Sequence, residues 1–338
     1  MSTDATTADV EAVVAVVRAA GGEAFVSRGV SRTIVGLVGD VEHFLSLNLA
    51  ALHGVVDVLR ISRPYKLVSR ESHAEPSTVM VGSASTGAVP IGPGHFTLIA
   101  GPCAVETPEQ TLAAAQMAKA AGARLLRGGA YKPRTSPYAF QGLGEDGLKI
   151  LADVRAETGL PVVTEVVDAG DVELVASYAD MVQIGTRNMA NFSLLQAVGV
   201  SGVPVLLKRG MQSTLEEWLM AAEYIAQRGN LSIVLCERGI RTFETATRNT
   251  LDISAVPMAQ MLSHLPVVVD PSHAGGRRDL VVPLSRAAMA VGADGVIVDC
   301  HPTPESALCD GPQALVAEDL AELAEAMRTI PPLLGRQA

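Results

Sequence analysis

Arg127, Lys132, Arg134, Arg187, Lys208, Arg209, Arg238, Arg241, Arg277 and Arg278 each stand shortly after a β-rich run, and together they make up 10 of the 26 Lys and Arg residues. Any one of them reads as a solvated loop cation. For the set that reading is poor, because the chain carries a formal charge of −10 and surface cations ordinarily scatter along helix faces. Guanidinium groups converging on one mouth suit bidentate binding of phosphate or carboxylate. The expected substrates are therefore small, multiply anionic and phosphorylated. A second set, Cys103, His273, Asp299 and Asp310, combines a thiol, an imidazole and two carboxylates, donors that suit a first-row transition metal better than magnesium or calcium. Each also has a bland reading: Cys103 as a small buried residue, His273 as a hydrogen-bonded loop residue, the aspartates as turn formers. No two of the four share a short motif, so they become a site only if the fold gathers their loops.

Composition excludes several other chemistries. The acidic balance argues against gripping nucleic-acid phosphates or an anionic membrane, and aromatic residues at 4% give no base-stacking platform. Met1–Asp9 is acidic rather than basic-then-apolar, unlike a signal peptide. No uncharged apolar run reaches the roughly 18 residues of a membrane span. Four cysteines without a C-x-x-C pair are no disulfide scaffold. A cytoplasmic protein is expected. Gly142-Leu-Gly144-Glu-Asp-Gly147 matches the G-x-G-x-x-G pattern but follows no strand, so it reads as the entry to a helix near Leu148 rather than a dinucleotide site.

The elements that must position these residues fall into three stretches. Residues 1–70 read as helix, strand, strand, helix, strand: a helix on the valines from Val10 to Val17 with Thr7 as N-cap, runs at 24–26 and 33–38, a helix from Val41 to Leu52 and a strand from Val55 to Ile61. This is a small α+β module one strand short of a ferredoxin-like unit. Residues 71–95 are a Ser-, Gly- and Pro-rich linker with a hairpin at 79–81 and 89–91. From residue 96 to 338, eight β-rich runs alternate with helical stretches: 97–100, 124–127, 162–165, 181–184, 205–208, 233–236, 267–270 and 296–299. One helix opens at a capping box, Ser213-Thr-Leu-Glu216. Eight alternating units fit a (β/α)8 TIM barrel; a doubly wound sheet would alternate likewise. Polar or cationic residues follow every strand, whereas an open sheet would gather them at one switch point. The barrel is the expected architecture.

With those residues assembled, the chain resembles the type I beta 3-deoxy-D-arabino-heptulosonate 7-phosphate (DAHP) synthases. The matching stretches are Gly101-Pro-Cys-Ala-Val-Glu106, Arg127-Gly-Gly-Ala-Tyr-Lys-Pro-Arg-Thr-Ser-Pro137, Gln183-Ile-Gly-Thr-Arg-Asn-Met189, Lys208-Arg-Gly210, Cys236–Glu244, Asp270-Pro-Ser-His273 and His301-Pro-Thr-Pro with Asp310-Gly. The front module matches through 27–36 and Pro64–Arg70. The resemblance implies condensation of phosphoenolpyruvate (PEP) with erythrose 4-phosphate and water, releasing inorganic phosphate, the first step of the shikimate pathway toward the aromatic amino acids. It implies PEP binding by Arg127, Lys132, Arg187, Lys208 and Arg238, and aldose-phosphate binding by Arg134 and Thr135. It implies a divalent transition metal (Mn, Co, Zn or Fe) on Cys103, His273, Asp299 and Asp310, polarising the aldehyde for attack by C3 of PEP. Lys132, His273 and Cys103 are the expected catalytic residues, with Lys132 placed to protonate the new alkoxide. A homo-oligomer, a tetramer by family, is the expected assembly.

Two departures accompany the resemblance. Asp299 stands where the family usually has Glu, which shortens the reach by roughly 1.5 Å. The front module lacks the family's first strand, which leaves feedback control by aromatic amino acids open. Cys300 and Cys309 add thiols beside ligand positions, and strand alternation points Cys300 to the opposite face. The rival expectations are a PEP-condensing synthase acting on a different aldose in secondary metabolism, and a non-catalytic barrel paralogue.

Overall fold

The structure, a computed structural model, describes residues 1–28, 33–59, 63–134 and 136–338. The front module opens with α1 (Thr7–Ala19), which is capped by Thr6 rather than Thr7. The Thr6 hydroxyl accepts from the Asp9 N–H while the Asp9 carboxylate accepts from the Thr6 N–H. β1 (Glu23–Arg28) and β2 (Thr33–Val38) pair antiparallel with Phe25 opposite Gly36. The helix expected to reach Leu52 is shorter. α2 covers Val41–Ser46, Asn48 turns left-handed at φ 46°, and a single 3-10 turn follows at Leu49–Ala51. Of the strand expected over 55–61, Val55–Leu59 pair with no strand among the described residues, and residues 60 and 61 lie outside them. Val56, Val58 and Leu59 are exposed. An apolar run makes a strand only with a neighbour to bury it against, and among the described residues it has none.

The linker's hairpin, β3 (Val79–Val81) and β4 (Val89–Ile91), forms as expected. Its Val79, Val81, Val89 and Ile91 pack on the barrel's innermost residues, and the Thr97 hydroxyl donates to Pro90 O at 2.8 Å, at the N-terminal start of the first barrel strand. The hairpin therefore plugs the N-terminal end of the barrel.

Eight parallel strands close that barrel: β5 (Thr97–Gly101), β6 (Leu125–Arg127), β7 (Val162–Val166), β8 (Met181–Ile184), β9 (Val205–Lys208), β10 (Ile233–Glu237), β11 (Val267–Val269) and β12 (Gly295–Asp299). All eight expected runs are strands, with ends shifted by a residue at most. α3 (Pro108–Ala120), α4 (Glu145–Thr158), α5 (Val172–Tyr178), α6 (Phe192–Ser201), α7 (Leu215–Ala226), α8 (Ala255–Leu262), α9 (Pro271–Gly275), α10 (Arg278–Ala290) and α11 (Ala317–Leu333) lie between and after them. The capping box of α7 is Thr214 with Glu217, one residue later than expected, because the Thr214 backbone is the extended one. No helix among the described residues is long and apolar enough to cross a membrane.

Alternation along the strands divides the core in two. Ile99, Leu125, Val163, Met181, Leu206, Cys236, Val268 and Ile297 point inward and fill the barrel. Their neighbours, such as Leu98, Leu126, Val162, Val182, Leu207 and Leu235, point outward and pack under the helices. A strand repeats its facing every two residues. Two positions on from each inward residue stand Gly101, Arg127, Glu165, Gln183, Lys208, Arg238, Asp270 and Asp299. The polar ring at the C-terminal mouth is thus the next layer of the same inward face, and Cys103 follows Gly101 at the same spacing.

Candidate active site

A cavity of about 300 Å³ opens at this mouth, lined by Arg127, Lys132, Arg134, Arg187, Lys208, Arg238 and Arg248 among the cations and by Glu165 and Asp310 among the acids. Seven cations against two carboxylates make it an anion site. Six of the ten cations singled out from sequence converge there. The other four do not. Arg209 bonds Glu237 and Asp252 at 3.0 and 2.9 Å beside Trp218. Arg241 is exposed, Arg277 pairs with Asp279, and Arg278 faces Glu305 at 3.6 Å. Distance past the strand end does not decide it: Arg209 directly follows β9 yet is held by Glu237 and Asp252, while Arg134, seven positions past β6, lines the cavity. Thr135 lies outside the described residues.

Within the cavity the cations are short of negative charge. Arg127 Nε and Arg238 Nη1 are buried without a hydrogen-bond partner, and an unpaired buried donor on a charged group is costly. Burial, opposed by Asp270 and reinforced by Arg248 and Arg187, holds the Arg238 guanidinium pKa below its usual value. Lys208 is bonded to Asp270 Oδ2 at 2.5 Å. Burial of Lys132 favours its neutral form, but Cys103, with Cys309 and Glu165, together outweigh burial and Arg127, and its pKa is raised. Its Nζ donates to Cys103 O at 2.9 Å and to Cys103 Sγ at 3.2 Å. Gly129 makes that fold-back possible, for a Cβ there would stand 2.8 Å from the Lys132 side chain. Gly185 is required in the same way, because a Cβ would overlap the Glu165 carboxylate, which accepts from Gln183 Nε2 at 3.0 Å.

Cys103, His273, Asp299 and Asp310 meet at one side of the cavity, their donor atoms all within 4.8 Å of one another. His273 Nε2 is 3.9 Å from Cys103 Sγ and 3.7 Å from both Asp299 Oδ2 and Asp310 Oδ2. Cys103 Sγ is 3.2 Å from Asp310 Oδ2. Asp270 accepts from the His273 backbone N–H at 2.9 Å and faces Nδ1 at the same distance, which turns Nε2 toward the cluster. A carboxylate behind a histidine in this way is the usual support of a metal-ligating imidazole. The hydrogen bond with Cys309 lowers the Cys103 thiol pKa well below its usual value, against desolvation and with help from Lys132, His273 and Arg127. A thiolate, an imidazole nitrogen turned inward and two carboxylates fit a divalent transition metal. Asp299 also forms an ion pair with Arg127 and accepts from Gln313 Nε2 at 2.6 Å.

Cys300 points out of the barrel, as its alternation requires, toward Ala114 O of α3, and burial alone pushes its thiol up to about 12. Arg248, which lines the cavity, and Gln313, which supports it from behind, escaped the sequence reading. Arg248, 11 positions past the end of β10, returns to bond Asp310 Oδ1 and Gln313 Oε1, each at 3.1 Å. Gln313 sits on the 3-10 turn after Asp310. A search confined to strand ends passes over both.

Comparison with known proteins agrees with this geometry. The sequence profile of the DAHP synthetase I family matches residues 71–334, and that of the DAHP synthase ferredoxin-like domain matches residues 1–63. A phospho-2-dehydro-3-deoxyheptonate aldolase of Thermotoga maritima is 54% identical over 310 residues, spanning 92% of this chain and 90% of that one. A 2-dehydro-3-deoxyphosphooctonate aldolase of Syntrophotalea carbinolica is 35% identical over 273 residues, 75% of this chain and 96% of that one. The crystal structure of a DAHP synthase from Thermotoga maritima superposes with a TM-score of 0.78 at 50% identity, covering 99% of this chain and 97% of that one. On profile, identity and fold together, the chain belongs to the DAHP synthetase I family.

Proposed function

We propose that the chain condenses PEP with erythrose 4-phosphate and water to give DAHP and inorganic phosphate, with a divalent transition metal held by Cys103, His273, Asp299 and Asp310. The observation that carries this is the pairing of an anion cavity with a donor cluster at one mouth: seven cations face two acids, and the four donors border them. Arg127, Lys132, Arg187, Lys208 and Arg238 bind the carboxylate and phosphate of PEP, whose negative charge satisfies the unpaired Arg127 and Arg238 donors. Arg134, with Thr135, binds the acceptor's phosphate. The bound metal supplies Lewis-acid polarisation of the acceptor's aldehyde. C3 of PEP forms the new bond to that aldehyde carbon, water adds at C2, and phosphate leaves with its C–O bond. Lys132 holds a proton on Nζ at the border of the two regions, where it protonates the new alkoxide. His273 and Cys103 serve the chemistry as ligands.

The acceptor's length separates this from a second reading. The relatives named for a phosphooctonate make an eight-carbon acid, which is PEP plus five carbons, whereas a heptonate is PEP plus four. The higher identity to the heptonate enzyme and the match of the front module favour four. Phosphate release from PEP, measured with no acceptor, with erythrose 4-phosphate and with a five-carbon aldose phosphate, tests both. Release only with the five-carbon sugar would overturn the first reading, and no release with either would make the chain a non-catalytic paralogue. The assembly is a homo-oligomer, supported by Val56, Val58 and Leu59 standing exposed on the front module.

A further inference from the structure

Cys309 is the one thiol near the donor cluster that the reading above leaves unused. Its Sγ lies 3.6 Å from Cys103 Sγ and 3.6 Å from Asp310 Oδ2. Two sulfurs bound to one ion at about 2.3 Å with a tetrahedral angle stand about 3.8 Å apart, so a separation of 3.6 Å allows both sulfurs to reach one ion. Each sulfur faces its own cation, Lys132 at Cys103 and Arg134 at Cys309. Asp310, adjacent to Cys309, holds a left-handed backbone at φ 54°, and both of these consecutive side chains reach Cys103 Sγ, at 3.6 Å for Cys309 Sγ and 3.2 Å for Asp310 Oδ2.

We infer that Cys309 is a further metal ligand of this chain, joining Cys103, His273, Asp299 and Asp310 in a two-thiolate site. The inference rests on the metal reading of the proposed function. A site with two thiolates takes thiophilic ions, zinc, cobalt(II) and cadmium, in preference to manganese. The competing reading has Cys309 as a small buried residue packed on Ala104 and Phe140.

Cobalt(II) titration of the metal-free, phosphine-reduced chain decides between them through the near-ultraviolet sulfur-to-cobalt charge-transfer band, without any activity measurement. Expected are a parent band of two-thiolate intensity, a loss of roughly half of it in Cys309→Ser and again in Cys103→Ser, and loss of all of it in the double variant. Zinc affinity, measured by chelator competition, should fall about tenfold or more in Cys309→Ser. A parent band of one-thiolate intensity, unchanged in Cys309→Ser with zinc affinity also unchanged, overturns the inference and leaves the metal reading standing. No cobalt uptake by the parent overturns both. The parent's own band intensity decides the matter even where the variants do not fold, and Cys309→Ala serves as a second substitution.

Discussion

The barrel mouth and the front module are built from similar apolar and charged residues to opposite ends. At the mouth, Arg127, Lys132, Lys208, Arg238, Asp270 and Asp299 are all nearly excluded from solvent. Arg127, Lys208 and Asp299 end strands, and Arg238 and Asp270 directly follow strands, whose inward and outward residues are themselves buried. The front module has two paired strands and a small core of Val17, Phe44 and Leu49, and it leaves Val56 and Leu59 more than half exposed. Holding cations with unpaired donors out of water is expensive, and only a closed sheet with both faces packed has stability to set against that. The difference teaches that charge can be concentrated where the scaffold has no edges, while a thin sheet with free edges carries no such burden.

The contrast can be broken most decisively at Lys132. Lys132→Met should lower kcat by about 10²–10⁴, the usual worth of a positioned proton donor, with a smaller change in KM for erythrose 4-phosphate. A kcat within tenfold of the parent would reduce Lys132 to a binding residue. Next in size is the scaffold itself. Trp218 is fully buried and donates Nε1–H to Leu207 O at 3.1 Å, so Trp218→Ala should cost about 3–5 kcal/mol by urea unfolding followed through the barrel's circular dichroism.

His264 sharpens the comparison at the seam between linker and barrel. It bonds Leu67 O at 2.9 Å and Ser77 Oγ at 2.7 Å, and burial, partly opposed by the Leu67 bond, brings its pKa down to about 4 from 6.5. The unfolded chain binds this proton more readily, so the stability His264 contributes is fully present above pH 6.5 and is lost as pH falls toward 4. At about 1.36 kcal/mol per pKa unit, the loss approaches roughly 3 kcal/mol. Urea midpoints of parent and His264→Gln at pH 7, 5.5 and 4 should converge as the pH drops; parallel profiles would show that the imidazole does not titrate in this window.

Arg134→Ala is expected to raise KM for the acceptor through loss of a charge-assisted contact worth about 1.5–3 kcal/mol, while KM for PEP stays within about twofold of the parent. Equal increases in both constants would merge the two phosphate subsites into one. The smallest effect on chemistry belongs to the front module. Phe44→Ala empties its core and should expose it to protease, yet turnover at saturating substrates should stay close to that of the parent. A collapse of turnover would show that the module supports the mouth directly.

Much of the scaffold was legible because short parallel strands buried on both faces advertise themselves as apolar runs punctuated by glycine. The eight barrel runs and the plugging hairpin all carry that mark. The run expected as a strand at 55–61 carries it as well, yet its described part, Val55–Leu59, has no neighbouring strand among the described residues, which no local pattern can supply. The caps at Thr6 and Thr214 fell one residue from their expected places, because adjacent Ser and Thr residues compete for a role that backbone conformation decides. At the site, counting two residues on from each inward apolar position finds Arg127, Lys208, Arg238, Asp270 and Asp299. Arg248 and Gln313 arrive from distant loop positions, outside any such count.

Residue order alone determined the alternation of strand and helix, the cationic character of one end of the barrel and the four donor types, since each depends on period, charge or side-chain chemistry within a short stretch. Tertiary structure alone decided which cations converge, for Arg209 is consumed by Glu237 and Asp252 while Arg127 and Arg238 keep unpaired donors. It also decided that Cys103 and Cys309, 206 positions apart, stand with their sulfurs 3.6 Å from each other. Closing the barrel joins β12 to β5, and that single long-range pairing brings the loops after the first and last strands face to face, a contact for which nothing local in the chain provides.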